Sequence, residues 1–462
     1  MTESAKRRLI TAAWVLSSLL SIPRAMHSQQ PAAPAPQMQS IELPTTQTPT
    51  APTTVSGPKL TLADAEHMAI EHNPNISVAR LIALAQAQVT REVRSAELPT
   101  AQGDLTAVGA LENSRITAGS LNNPSIYDRA AGGLTVSQLI TDFGRTHNLV
   151  RSAQSNAKAQ VENERATELD ITLTVDQAFY QALTSQAVLK VAEETVNQRQ
   201  ATVDQIGALA RAKLRSDLDL SFADVQLSQA KLLLLDAQND VANAMADLNT
   251  VLGSEQDEQY TLVDETSTNP QPPPQDAEAL LPAAFGARPD LASLNDSYTA
   301  ARQFSTAERD LWMPTVSALA AAGGTPVRAD QIQSTWYGAA GANITIPVFN
   351  GFLYNARARE AKLRANAAGE QVRNLRDIIA RDLRNAVLNA QNAFQRIGVT
   401  QEILNQSNLA LDLSQARYKI GLGGIVELTQ AQLAQTQAEI SFANARYAYQ
   451  TALAVVRFQT GQ

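Results

Sequence analysis

Residues 171–206 read ITLTVDQAFYQALTSQAVLKVAEETVNQRQATVDQI. Taken at alternating steps of four and three, this stretch gives Ile171, Val175, Ala178, Ala182, Ser185, Leu189, Ala192, Val196, Arg199, Val203 and Ile206. Only Ser185 and Arg199 interrupt an apolar seam with coiled-coil spacing, and its many small residues let helices approach closely. Followed outward, the helical pattern runs from Gly144 to residue 209, 66 residues, and a counterpart over 351–417 has 67. At about 1.5 Å per residue each helix is roughly 100 Å long. Two shorter helices, 75–97 and 217–253, would reach roughly 90 Å if stacked end to end. Lengths matched in this way suit a long barrel-like wall better than a compact bundle.

The chain contains two copies of one unit. Asn73-Pro74-Asn75 corresponds to Arg288-Pro289-Asp290, and Leu98-Pro99-Thr100 to Met313-Pro314-Thr315, each pair 215 positions apart. Asp142-Phe143-Gly144 corresponds to Asn350-Gly351, with Gly144 and Gly351 207 apart. Asp219-Leu220 and Glu427-Leu428, and Gly253 and Gly461, are 208 apart. The units expected are 59–264 and 277–462, separated by 265–276, ETSTNPQPPPQD, whose three consecutive prolines fit neither a helix interior nor a central strand. Each unit has a proline-kinked helix, two short strands, a very long helix, a turn and a last helix ending at glycine.

Bulk properties narrow the function. The 462 residues are 44% hydrophobic but only 5% aromatic, which fits packing by Ala, Leu and Val in long helices. A net charge of −8 argues against nucleic acid as a partner. With no cysteine, thiolate metal sites, disulfides, cysteine nucleophiles and lipidation at cysteine are excluded. Residues 1–28 read as a secretory signal: Lys6, Arg7 and Arg8 precede an apolar stretch from Leu9 to Ile22, with cleavage after Ala25 or Ser28. Its removal leaves a net charge near −11. Residues 29–58, rich in Pro, Gln, Thr and Ala, read as a disordered leader. No other stretch is long and apolar enough for a spanning helix, so a membrane location would need β-strands.

Candidate strands are 101–117, 130–141, 315–327 and 334–346. In the last, Trp336, Gly338, Ala340, Ala342, Ile344 and Ile346 alternate with Tyr337, Ala339, Gly341, Asn343 and Thr345. Lengths near ten residues suit tilted transmembrane strands. Trp312, Phe143, Phe349 and Phe352 fall at the helix–strand junctions, with Tyr127, Trp336 and Tyr337 towards the opposite ends, as two interfacial girdles would require. The same stretches also fit an ordinary antiparallel sheet capping a helical domain. Four strands cannot close a barrel and open edges are not tolerated in lipid, so the membrane reading requires an oligomer; three chains would supply twelve strands.

Two local patterns add to this. One is Arg417-Tyr418-Lys419-Ile420-Gly421-Leu422-Gly423-Gly424-Ile425-Val426-Glu427-Leu428; the other is Asp219-Leu220, Ala223, Leu227 and Ala230 after the first turn. With the tandem repeat and the strand pair before each long helix, residues 59–462 resemble the TolC family of outer-membrane factors. The resemblance implies a mainly α fold with a small β-barrel part: a long antiparallel α-helical barrel crossing the periplasm, and four transmembrane strands per chain in a trimer with a 12-stranded barrel. It implies an outer-membrane channel-tunnel that exports small molecules or proteins received from a periplasmic adaptor and an inner-membrane pump. Aperture carboxylates would fall at Glu427 and Asp219. The family's second acidic position, three residues on, is Gln430 here. Adaptor contacts would fall at the tips: Tyr418, Gly421, Leu422, Gly423 and Gly424 in the second, Lys213 and Leu214 in the first, where Lys213 replaces glycine. Trp312, Phe143, Phe349, Phe352, Trp336 and Tyr337 would meet the lipid interface.

No catalytic, metal or cofactor site is expected. Gly421-Leu422-Gly423-Gly424 has no preceding strand and no following Lys-Ser/Thr, so it is not a phosphate loop. His67 and His72 lack zincin spacing and read as a polar helix face, and His147 is isolated. The competing reading is a non-transporting periplasmic or surface coiled-coil scaffold.

Overall fold

The computed structural model describes residues 57–109, 128–254, 258–266, 270–327 and 334–462. The expected signal, the leader up to residue 56, Tyr127 and the end of the expected 101–117 strand lie outside the described residues. Strand β1 (Lys59–Leu60) leads to α1 (Leu62–His72), α2 (Pro74–Ser95), β2 (Thr100–Val108), β3 (Arg129–Thr141), α3 (Arg145–Arg211) and α4 (Asp217–Leu252). Strand β4 (Thr261–Leu262) precedes the second unit: α5 (Leu281–Ala287), α6 (Pro289–Arg309), β5 (Thr315–Val327), β6 (Trp336–Thr345), α7 (Leu353–Lys419) and α8 (Ile425–Thr460). The fold is mainly helical with a small sheet, as the sequence implies. Among the described residues no helix is long and apolar enough to cross a membrane.

The sequence explains where helices start and stop. Thr61 opens α1 by a capping box with Asp64, whose backbone N–H donates to Thr61 Oγ1 at 3.2 Å. Asn73 ends α1 and caps α2, accepting from the Asn75 N–H at 2.9 Å, and Pro74 takes the first helical position, where no N–H is needed. Arg288-Pro289 repeats this break in the second unit. Each break receives the end of that unit's last helix. Gly253, at φ +76°, sits so close to His72 that an added Cβ would lie 2.7 Å from its carbonyl oxygen; Gly461, at φ +78°, abuts Ala287 in the same way. Glycine is required twice over at both places, for the left-handed turn and for the approach. Asn73 Nδ2 also donates to the Val251 carbonyl at 2.9 Å, and Arg288 Nη1 to Gln459 Oε1 at 2.5 Å. So α4 and α2 stack end to end beside α3, and α8 and α6 beside α7.

The helix bounds correct the repeat register. Helices α3 and α7 each have 67 residues and start 208 positions apart. Phe143 therefore corresponds to Gly351 and Gly144 to Phe352, with no slip to 207. All four residues are left-handed, so the glycine sits second in one pair and first in the other. The flanking contact agrees: Asp142 Oδ2 accepts from the Thr146 N–H at 2.7 Å, and Asn350 Oδ1 from the Tyr354 N–H at 3.5 Å.

The coiled-coil seam is a packed face. Val175, Ala182, Ser185, Ala192, Arg199 and Ile206 are all buried. Val175, Phe179 and Leu248 centre one core cluster; Leu383, Val387 and Val456, the same positions 208 later, belong to a second. A third, at the tips, joins Ile206 and Ala223 to Leu411, Tyr418, Ile425 and Leu428.

The antiparallel sheet has the order β2-β3-β5-β6, so each unit gives one edge strand and one inner strand. Its register sorts side chains across all four strands. Leu105, Gly132, Gly324 and Trp336 lie in one row, as do Ala101, Val136, Ala320 and Ala340. Val316 opposite Ile344 continues the same apolar face. The other face carries Gln102 beside Thr135 and Thr100 beside Ser137, with Ser317 beside Asn343.

Candidate functional site

The two inter-helix turns come together at the end of the molecule away from the sheet. In the first, Lys213 is left-handed at φ +58° and the Leu214 N–H donates to the Leu209 carbonyl at 2.9 Å. Ser216 then caps α4, its Oγ accepting from the Leu218 N–H at 3.1 Å. In the second, Gly421 is left-handed at φ +79° and the Leu422 N–H donates to the Arg417 carbonyl at 2.9 Å. Gly424 occupies the N-cap position of α8 without a side-chain cap.

Asp219 and Glu427 both sit in the first turn of the helix that follows, where carboxylates suit the dipole. Their surroundings differ. Glu427 is exposed and pairs with Arg417, Nε to Oε1 3.1 Å. Asp219 is half-buried beside Tyr418.

Tyr418 corrects the expectation of a surface residue free to meet an adaptor. It is 4% exposed and packed in the tip core. The Arg215 guanidinium lies 4.1 Å from its ring centroid, and Arg215 Nη2 donates to the Tyr418 carbonyl at 2.5 Å. Burial, with Asp219 nearby, pushes the phenol above its ordinary range; the Arg215 charge acts the other way. Arg215 thus clamps the first turn onto the second. Lys213, Leu214, Gly421, Leu422 and Gly424 are exposed, and Gly423 is half-buried. Any Cβ on Gly423 would crowd Arg417 and Glu427 at 3.2 and 3.3 Å.

The structure adds Arg215 and Arg417, which the sequence reading did not select. Arg215 stands where the second unit has Gly423, so a position-by-position comparison of the two turns would have marked it.

At the other end, Phe143, Phe349 and Phe352 are exposed at the helix–strand junctions, with Phe349 and Phe352 edge-to-face at 5.7 Å. Trp312 is half-buried and packs edge-on against Tyr354 at 5.6 Å, so part of its ring faces protein. Trp336 is exposed at the far end of β6. Tyr337 lies across Gly133 and Gly323, which leave room for its ring, and so takes the polar face.

Midway along the helices is a buried charged group. Asp176 of α3 accepts from Arg457 Nη2 of α8 at 2.8 Å. Burial, followed by the neighbouring Glu66 carboxyl of α1, raises its pKa to about 7; Arg457 only partly offsets this. Among the described residues no cluster of potential ligands is arranged to hold a metal ion.

The family model for outer membrane efflux protein matches residues 66–254 and 280–462. The outer membrane protein TolC of Salmonella enteritidis is 22% identical over 368 residues, covering 78% of this chain and 73% of that protein. The solvent efflux pump outer membrane protein SrpC of Pseudomonas putida is 23% identical, covering 79% and 77%. The solved structure of a membrane protein from Pseudomonas aeruginosa superposes with a TM-score of 0.76 at 20% identity, covering 90% of this chain and 99% of that one. With two matched segments coinciding with the two structural repeats, this chain belongs to the outer membrane efflux protein family and is an outer-membrane export channel extending into the periplasm.

Proposed function

We propose that three copies form a conduit without catalytic chemistry of its own, their twelve strands closing a barrel in the outer membrane and their helices forming a tunnel below it. The observation that carries this is the sheet: apolar residues dominate one face in register and polar residues the other, with Leu139 and Leu319 on the polar face and Gln138 on the apolar face as exceptions, and among the described residues the edge strands β2 and β6 have no further partner strand. Lipid tolerates such a sheet only when it is closed on itself. Phe143, Phe349, Phe352, Trp312 and Trp336 would lie at the two membrane interfaces. Residues 1–28 would direct export, and the units 59–264 and 277–462 would be joined by 265–276.

The tips would form the gate. Three-fold symmetry brings three copies of Asp219 and of Glu427 around one axis, where carboxylates repel each other and attract cations. The Arg215–Tyr418 clamp would hold the two hairpins of each chain together in the closed form. The exposed turns at Lys213-Leu214 and Gly421-Leu422, with Gly423 and Gly424, would meet a periplasmic adaptor that couples the channel to an inner-membrane pump. Small toxic compounds are the substrate class that relatives such as the solvent efflux protein suggest.

The test is reconstitution. Protein purified from outer membranes should migrate as a heat-resistant trimer and give discrete ion conductance in planar bilayers. A monomer that stays soluble without detergent and forms no pores would favour the scaffold reading instead.

A further inference from the structure

The two repeats of one chain pack side by side through α3 and α8. Thr195 and Arg199 of α3 meet Thr436 of α8 at 3.4 and 3.3 Å, and Gln432 Nε2 donates to Thr202 Oγ1 at 3.4 Å. Further along this seam Glu439 of α8 lies near Glu194 and Arg199 of α3; burial first, then Glu194, pushes its carboxyl above the ordinary range. Helix α3 also packs on α6, where Ser155 Oγ donates to Gln303 Oε1 at 3.0 Å.

The repeat relation carries α3 onto α7, and it pairs α8 and α6 with α4 and α2 of the first unit. In a single chain those image faces lack the corresponding cover. Thr195 is 5% exposed, but its image Ile403 is 49% exposed. Ser155 is 8% exposed and its image Leu363 is 68%; Ser293 is 5% exposed and its image Val78 is 53%. The uncovered member of each pair is also the more apolar one, the reverse of what a water-facing surface selects. The sheet repeats the pattern: β3–β5 joins the units, while among the described residues the image edges β6 and β2 have no partner strand. One occupant satisfies all of these at once: a second copy of this chain, its α7 lying on α4 and α2, its β6 beside β2.

Charge adds a specific contact. Glu194 maps onto Glu402 and Glu439 onto Lys231, while Arg199 maps onto Ser407. Two acids with an arginine near them inside the chain become one acid facing one base between chains. We propose that Lys231 of each copy forms an ion pair with Glu402 of the next, making the seam between copies the image of the seam within each. This rests on the trimeric reading above. It goes further by naming the helices and the charges that meet.

The full-length chain is tested in detergent after extraction from outer membranes. K231E and E402K alone should each raise the monomer fraction roughly tenfold at a given temperature on semi-native gels, and K231E/E402K together should restore trimer. Because the chain has no cysteine, K231C/E402C can be linked by a short bis-maleimide and should give covalent dimers and trimers. E194C/E439C, treated identically, should be linked only within one chain. A heat-resistant trimer indifferent to both charge reversals and not cross-linked through K231C/E402C would overturn the pairing and leave the trimeric conduit standing. A chain that is monomeric before any treatment would overturn both.

Discussion

The turn between α3 and α4 carries Lys213, Arg215 and Ser216 where the turn between α7 and α8 carries Gly421, Gly423 and Gly424. Both turns follow helices of equal length, and both hold a left-handed residue at the same point. The first spends side chains on stiffness: Ser216 caps a helix and Arg215 reaches across to Tyr418. The second has no side-chain cap at Gly424; its Arg417 pairs with Glu427 and donates to the Leu422 carbonyl at 3.3 Å, both within the same turn. One turn reaches across to its neighbour while the other holds only itself, although both derive from one repeated unit. The contrast continues midway along the helices. Asp176 of the first repeat is buried against Arg457; at its image position, Arg384 is half-exposed and pairs with Glu278 at 2.7 Å.

Removing the aromatic half of the clamp should have the largest effect. Tyr418→Ala vacates a buried ring site and should destabilise by about 3–5 kcal/mol in thermal or denaturant unfolding, with higher channel conductance. Tyr418→Phe should be close to neutral, because the buried Oη has no hydrogen-bond partner among the described residues. A large loss in the phenylalanine variant would show that the hydroxyl, not the ring under Arg215, closes the tip.

The repeat contrast at Asp176 should appear as pH dependence. Its folded pKa, about 7, is raised above the ordinary aspartate value of 3.8. Its stabilising share is therefore complete below pH about 4 and is lost as pH rises through about 7. Asp176→Asn should flatten that decline and exceed the parent above pH 7 by on the order of a few kcal/mol, read from melts at pH 5 and 8. A parallel shift at both pH values would remove Asp176 as the cause.

Smaller changes test the turns themselves. Gly421→Ala forces a side chain into the left-handed region and should cost about 1–2 kcal/mol. Lys213→Gly relieves the same strain and should be neutral or gain up to about 1 kcal/mol, since glycine also loosens the unfolded chain. Equal effects of opposite sign would mean the turns are interchangeable. Smallest of all, Glu427→Gln should change stability by less than about 1 kcal/mol, because the Arg417 pair is solvent-exposed, yet should weaken divalent-cation block in planar bilayers. Unchanged block would remove Glu427 from the aperture.

Much of the fold was legible because its signals are local. Proline at the first helical position, glycine at the last and a seam at fixed spacing placed the helix ends to within a few residues. Strand ends behaved alike: β5 spans 315–327 as expected, and β6 spans 336–345 within the expected 334–346. The repeat register slipped by one at Gly144, since matching glycine to glycine ignores that two consecutive left-handed residues accept glycine at either place. The site was less legible. The resemblance assigns Tyr418 to the adaptor-facing tip, but its burial involves Arg215, 203 positions away in sequence. Arg199 interrupts an apolar seam in sequence and is nevertheless buried, because Thr436 of the other repeat meets it.

The sequence by itself determined the two repeats, the matched helix lengths, the turn positions and the alternation along each strand, since all of these follow from backbone chemistry within a few residues. Tertiary structure alone decided which faces meet. It set the strand register that separates apolar from polar rows, the clamp of one turn on the other, and the unequal burial of equivalent residues. Those outcomes depend on hydrogen bonding and packing between segments from a dozen to more than two hundred residues apart, where the strand register and the seam between helices select the partner and local pattern does not.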